Sequence, residues 1–287
     1  RGNITISNVS ASNRIQFGGT SAQTYNAGGF TGNFGTNASP VLGVNISNAS
    51  GVTLNDSIIT FRVNLFNGTV TNSGKIRLGN FSATAVAVQR GPGNTSNAAG
   101  SFDAVPNYQY PSANGLSLLY SAASTSITTG NEVPTSRNIA NLSCTNASGL
   151  TVSGGDLNLV QGTKPTLTMG AANIDFGANN LVMGSTSLVD TIVYTSGLLN
   201  FTTGSMTRFF PTSGLPTAVG TLSGAGTNKG FYPIANSSNN RHFAVAFSVQ
   251  NALSTAGSIT VSHSSASGTT GVTSYSDAGV NVDTRSN

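Results

Sequence analysis

The heptapeptide Asn48-Ala49-Ser50-Gly51-Val52-Thr53-Leu54 returns 98 positions later as Asn146-Ala147-Ser148-Gly149-Leu150-Thr151-Val152, with only Val/Leu exchanges. Just upstream, Asn45-Ile46-Ser47 matches Asn141-Leu142-Ser143 once two residues are inserted in the second copy. Repetition limits the fold strongly, because a short unit that cannot bury its own apolar face must stack on further copies, as in a solenoid or an array of small modules. A second echo links Arg14-Ile15-Gln16-Phe17-Gly18 to Lys75-Ile76-Arg77-Leu78-Gly79, followed by Ala27-Gly28-Gly29-Phe30 in one case and Ala99-Gly100-Ser101-Phe102 in the other. These echoes divide the chain into the end of a preceding module (1–40), a module at 41–137, a third at 138–204 and a divergent one at 205–287.

Local patterning is that of strands. Glu132 is the only glutamate, and no apolar stripe of helical period persists beyond two turns. Short alternating runs such as Thr60-Phe61-Arg62-Val63-Asn64-Leu65 and Thr84-Ala85-Val86-Ala87-Val88 are bounded by Gly, Asn, Ser or Pro. In the third module, Leu150, Leu157, Leu167, Ile174 and Leu181 open segments seven to ten residues apart, with Gly154-Gly155, Gly162, Gly170 and Gly177 between them. The expectation is all-β. The centre suits a parallel β-helix or solenoid, whose backbone ladder satisfies amides without charged surfaces, although a meandering sandwich has similar turn spacing. From about 205 onward, longer runs at 241–249 and Gly257–Ser262 suggest a β-sandwich-like C-terminal module.

Charge then narrows the chemistry. Only 7% of the 287 residues are charged, with 12 Lys+Arg and 8 Asp+Glu scattered along the chain. Nucleic acid is excluded as a partner, because the basic residues form no cluster that would displace counterions. Two histidines and a lone Cys144 give neither a metal site nor a disulfide, and no cofactor is expected. Gly91-Pro92-Gly93 has no helix to follow it, and Gly162-Thr163-Lys164 runs into Pro165, so neither is a phosphate loop. A glycosidase requires two converging carboxylates. With a coil of roughly 20 residues, Asp156 and Asp175 would stack on neighbouring coils, the one pairing the sequence offers. The bland reading of these acids is turn capping, and no enzymatic role is expected. Cys144 reads as a small buried filler. Tyr108, Tyr110 and Tyr120 alternate as strand residues do and are candidates for carbohydrate contact or for packing.

Longer phrases carry a resemblance. Asn131-Glu132-Val133-Pro134-Thr135-Ser136-Arg137-Asn138-Ile139-Ala140-Asn141-Leu142 and Gly149-Leu150-Thr151-Val152-Ser153-Gly154-Gly155-Asp156-Leu157 resemble the repetitive ectodomains of Bacteroidota cell-surface adhesin-like proteins. So do Ile174-Asp175-Phe176-Gly177-Ala178-Asn179-Asn180-Leu181-Val182-Met183-Gly184, Gly204-Ser205-Met206-Thr207-Arg208 and Gly230-Phe231-Tyr232-Pro233-Ile234. The family comprises very large adhesins, commonly exported by the type nine secretion system, among them gliding-motility adhesins. The chain, which opens directly in a strand-like pattern, reads as an interior fragment or processed product of a larger secreted chain, and the resemblance implies a place at the cell surface. Its partners would be outer-membrane secretion and anchoring machinery, neighbouring repeats, and surface polysaccharide. It also implies O-glycosylation at Asp-Ser/Thr-apolar sequences, for which Ser57 (Asp56-Ser57-Ile58) and Thr191 (Asp190-Thr191-Ile192) are candidates. The expected function is a structural and adhesive stalk or filament segment; the alternative is a polysaccharide-binding or polysaccharide-cleaving β-helix.

Overall fold

A strand of three to six residues buries one apolar face only if strands on either side continue its hydrogen-bond ladder. The computed structural model describes residues 14–34, 43–81, 85–91, 99–170, 172–221, 228–236, 239–244 and 253–262, with a separate short pair Ser276–Asp277 and Val280–Asn281. Within these residues, strands stack in parallel into a β-helix. Each coil contributes a first, a second and a third strand, and each set forms its own stack.

The first strands run without interruption: Arg14–Gly19, Gly43–Asn48, Arg62–Asn67, Val86–Arg90, Leu116–Tyr120, Asn141–Cys144, Thr166–Met169, Thr191–Tyr194 and Thr217–Gly220 open coils 1 to 9. Register between them is regular in the later coils. Asn141 pairs with Thr166 and Thr166 with Thr191, a repeat of 25 residues. The second and third strands stack continuously through coils 1–4, ending at Ser101–Phe102 and Asn107–Gln109. Fresh stacks begin in coil 5, at Ile127–Thr128 and Asn138–Ile139.

The alternation read from the sequence becomes two inward ladders on the first-strand sheet. One is aliphatic from end to end: Val44, Val63, Val88, Leu118, Leu142, Leu167, Ile192 and Ala218 lie in register and are all buried. Each full burial of a Val, Leu or Ile contributes about 1.5–3 kcal/mol. The other reads Ile46, Leu65, Arg90, Tyr120, Cys144, Met169, so two polar residues stand at aliphatic positions midway. In the later coils the predicted segment starts Leu150, Leu157, Ile174 and Leu181 each open a strand, and Leu167 falls one residue inside Thr166–Met169.

The heptapeptide repeat is a corner. In both copies it joins a first strand to a second strand, in coils 2 and 6. Asn48 accepts the Ser50 amide at 3.0 Å and donates to the Ser21 carbonyl of the coil before at 2.7 Å; Ser50 Oγ donates to Thr20 O at 2.7 Å. Asn146 repeats this, accepting the Ser148 amide at 3.3 Å and donating to Thr125 O at 3.1 Å, with Ser148 Oγ donating to Ala123 O at 3.2 Å. Gly51 and Gly149 close the turns at φ +84° and +96°, a region that favours glycine. The repeat therefore spans four coils rather than one module. The boundaries read at 138 and 205 fall at the third strands of coils 5 and 8, inside coils. The second echo joins different positions, the first strand of coil 1 and the third strand of coil 3. Its trailing Phe30 is 77% exposed where Phe102 is 4% exposed.

The C-terminal runs are part of the solenoid. Asn228–Lys229, Asn239–Ala244 and Gly257–Ser262 pair antiparallel with Thr217–Gly220, Pro233–Asn236 and Ser205–Phe210, so each of the three stacks that reach the last coils ends on a reversed strand. These strands cover the last parallel edges, a device that blunts further pairing. Of the run expected at 241–249, the part past 244 lies outside the described residues. Replacing Leu167 by Ala is expected to cost about 2–5 kcal/mol in urea denaturation, whereas Ser143→Ala on the outward face is expected to change stability by about 0.5 kcal/mol or less.

Candidate functional site

Two ion pairs occur among the described residues, and both lie inside the solenoid. Arg90 ends the first strand of coil 4, and Glu132 comes from the corner between the second and third strands of coil 5. Arg90 Nη1 meets Glu132 Oε1 at 3.0 Å and the Thr128 carbonyl at 2.6 Å, while its Nε donates to Gly100 O at 2.8 Å. Tyr120 Oη and the Gly130 amide also donate to Oε1, at 2.8 and 2.9 Å. Tyr108 donates to the Glu132 carbonyl, and Asn131 Nδ2 reaches Phe102 O at 3.1 Å. Glu132 Oε2 is buried without a hydrogen-bond partner. Three donors on one oxygen and none on the other make a carboxylate that is held but incompletely satisfied.

The second pair repeats the plan at the far end. Arg208 continues the inward ladder of Ile139, Leu159 and Met183. Its guanidinium donates through Nε and Nη2 to Asp190 Oδ1, the former at 3.0 Å, and to the carbonyls of Phe231 at 2.8 Å and Thr217 at 3.0 Å. The Tyr232 ring lies 5.9 Å from its carbon, within cation–π range. Burial pushes the Asp190 carboxyl up and Arg208 draws it back. Nothing in the spacing of Arg90 and Glu132, or of Arg208 and Asp190, announces these pairs; an arginine inside an otherwise apolar alternating run was the one available signal.

The residues singled out from the sequence fall as follows. Tyr120 is 1% exposed, so its ring offers no platform to a sugar. Tyr108 and Tyr110 are half-buried, packed edge to face at 5.9 Å against the core. Ser57 lies half-exposed on a corner, its carbonyl accepting the Gly32 amide at 2.9 Å. Thr191 is only 7% exposed, and its hydroxyl is hydrogen-bonded to that of Thr217 at 3.0 Å. It offers no open acceptor for a glycan, because it stacks in register on the flat outer face. Asp156 and Asp175 do not stack. The coil is longer than the expected 20 residues, so Asp175 pairs with Thr151 and Asn200 while Asp156 precedes a third strand. Asp156 instead binds the amide and side chain of Asn180 at 2.7 and 3.1 Å. Asp103 accepts from Asn72, Ser73 and Ala104, and although burial opposes it, these hydrogen bonds hold its carboxyl below the usual range. His263 lies outside the described residues, as does the side chain of His242.

Outward positions carry neutral ladders. Asn64 donates to Asn45 at 2.6 Å, Asn158 to Asn138 at 3.1 Å, and Asn141 to Ser117 at 2.9 Å. Arginines on the outer faces take glutamine partners: Arg62 donates to Gln89 at 2.7 Å and Arg77 to Gln109 at 2.6 Å. Among the described residues no group of three His, Cys, Asp or Glu could hold a metal ion. Neither a protein family, nor a curated protein, nor a solved structure matches the chain.

Three consequences are measurable. Burial raises the Cys144 thiol to about 11, so alkylation at pH 8 is expected to be negligible in the folded chain and rapid in denaturant. Burial, reinforced by Glu132, raises the Tyr108 and Tyr120 phenols well above 10, and burial, partly offset by a hydrogen bond with Gln161, takes Tyr110 up to about 12. The folded chain therefore keeps these protons where the unfolded chain loses them. Their stabilisation is complete below about pH 10 and declines as pH rises beyond it, so tyrosinate absorbance is expected to appear together with alkaline unfolding. Arg208→Met leaves Asp190 buried and unpaired, with an expected loss of about 3–5 kcal/mol in denaturant midpoint analysis.

Proposed function

We propose that this chain is a structural and adhesive segment of an extracellular surface protein: a stiff β-solenoid stalk making weak, repeated contacts with a substratum or with neighbouring copies. The observation that carries this reading is the placement of polar groups. Both ion pairs lie inside, while part-exposed outward positions pair neutral polar side chains, Asn141 with Ser117 and Asn158 with Asn138. A surface of this kind offers many equivalent neutral hydrogen-bonding positions and no concentrated field. The likeness of its phrases to Bacteroidota adhesin ectodomains supports the same reading, with export through an outer-membrane secretion system and no catalytic role.

Force spectroscopy with the purified chain on the tip, against hydrated polysaccharide gel, glass and hydrophobic polymer, tests this. Weak multiple ruptures on all three are expected, changing by about two-fold or less between roughly 50 and 500 mM salt, because exposed charge contributes little. Saturable tight binding of one soluble glycan would favour the polysaccharide-binding alternative instead. Release of reducing ends from a polysaccharide would sink the structural reading.

A further inference from the structure

We propose that the junction of coils 4 and 5 is a built-in joint, at which two β-helical blocks, 14–109 and 116–236, are held by one backbone ladder and a side-chain lock centred on Glu132. From coil 1 to coil 4, and again from coil 5 to coil 8, neighbouring coils share three parallel ladders. Among the described residues, only one remains across the junction, Val86–Arg90 on Leu116–Tyr120. Ser101–Phe102 and Asn107–Gln109 pair with the coil before them and with no strand of coil 5.

Side chains span the gap that the two missing ladders leave. Arg90 of coil 4 reaches Thr128 O and Glu132 Oε1 of coil 5, at 2.6 and 3.0 Å. In the opposite direction Asn131 reaches Phe102 O at 3.1 Å, and Tyr108 reaches back across the gap to Glu132 O. Solenoid stability is the sum of what each coil contributes and what each interface contributes, so the interface with one ladder is the weakest. The lock does not restore the difference. A buried ion pair contributes little net stability while specifying register, and the unpartnered Oε2 adds a desolvation penalty. Arg208–Asp190 forms no second joint, because reversed strands continue the ladders there. Each block keeps its own aliphatic ladders, so the junction yields while both blocks stay folded.

Native-state hydrogen exchange of the full chain in graded urea, followed by peptide mass spectrometry, tests the joint. Amides of 14–109 are expected to lose protection as one unit and those of 116–236 as another, with the boundary between 109 and 116. Asn131→Ala removes one bond across the gap and leaves the ion pair. It is expected to raise exchange of Val86–Arg90 and Leu116–Tyr120 about five-fold, the ordinary effect of one hydrogen bond, and to leave Thr166–Met169 unchanged. Glu132→Gln is expected to act in the same direction more strongly; if that variant does not fold, Asn131→Ala alone decides. A protection profile that erodes coil by coil from the ends, or an Asn131→Ala chain that exchanges at the junction like the parent, overturns the proposal.

Discussion

Parallel stacking of one coil on the next, about 4.8 Å apart, is the constraint on which everything else in this molecule rests. It supplies each strand amide with a partner, and it also brings each side chain against its counterpart in the next coil. Apolar counterparts then fuse into continuous columns, as from Val44 to Ala218. Charged counterparts would repel along the whole axis, because like charges directly opposed are destabilising. Asn and Thr face no such conflict, since an amide or hydroxyl both donates and accepts; hence Asn45 with Asn64 and Thr191 with Thr217. The scarcity of charge is thus a property of the stacking.

Two arginines reach backbone carbonyls from inside the solenoid, one where the second and third stacks break and one beneath the reversed strands. Arg90 and Arg208 occupy inward positions that other coils give to Leu, Ile or Met. Each directs a guanidinium at two backbone carbonyls and one carboxylate. Five donors on a rigid fork suit that task better than any other side chain. The carboxylate offsets the charge, and the neighbouring Tyr120 and Tyr232 fill the remaining volume.

Strand positions, the alternation of faces and the filler role of Cys144 were legible in the sequence, because each is a local consequence of period-two patterning. The coil length was not. The heptapeptide returns after four coils, so its spacing suggested a large module, and the unequal spacing of the first strands in coils 1–5 hides the 25-residue repeat. A coil of roughly 20 residues would stack Asp156 on Asp175; at 25 residues each instead accepts a backbone amide, of Asn180 and Gly177. The burial of Tyr120 and Thr191 was not legible either: alternation tells which residues share a face, but burial depends on which coil lies above and which side chains cross the gap.

The amino-acid order by itself determined that the chain would form short strands, put its apolar side chains on one side, and carry neutral polar groups on the other. Those are nearest-neighbour facts, set by backbone sterics and turn residues within a few positions. Only the tertiary structure decided where the stacks break and resume, because ladder pairing joins residues some 25 positions apart. It alone decided which arginine enters the core there and how the last coil is covered, for the ends of ladders exist only once the coils are stacked.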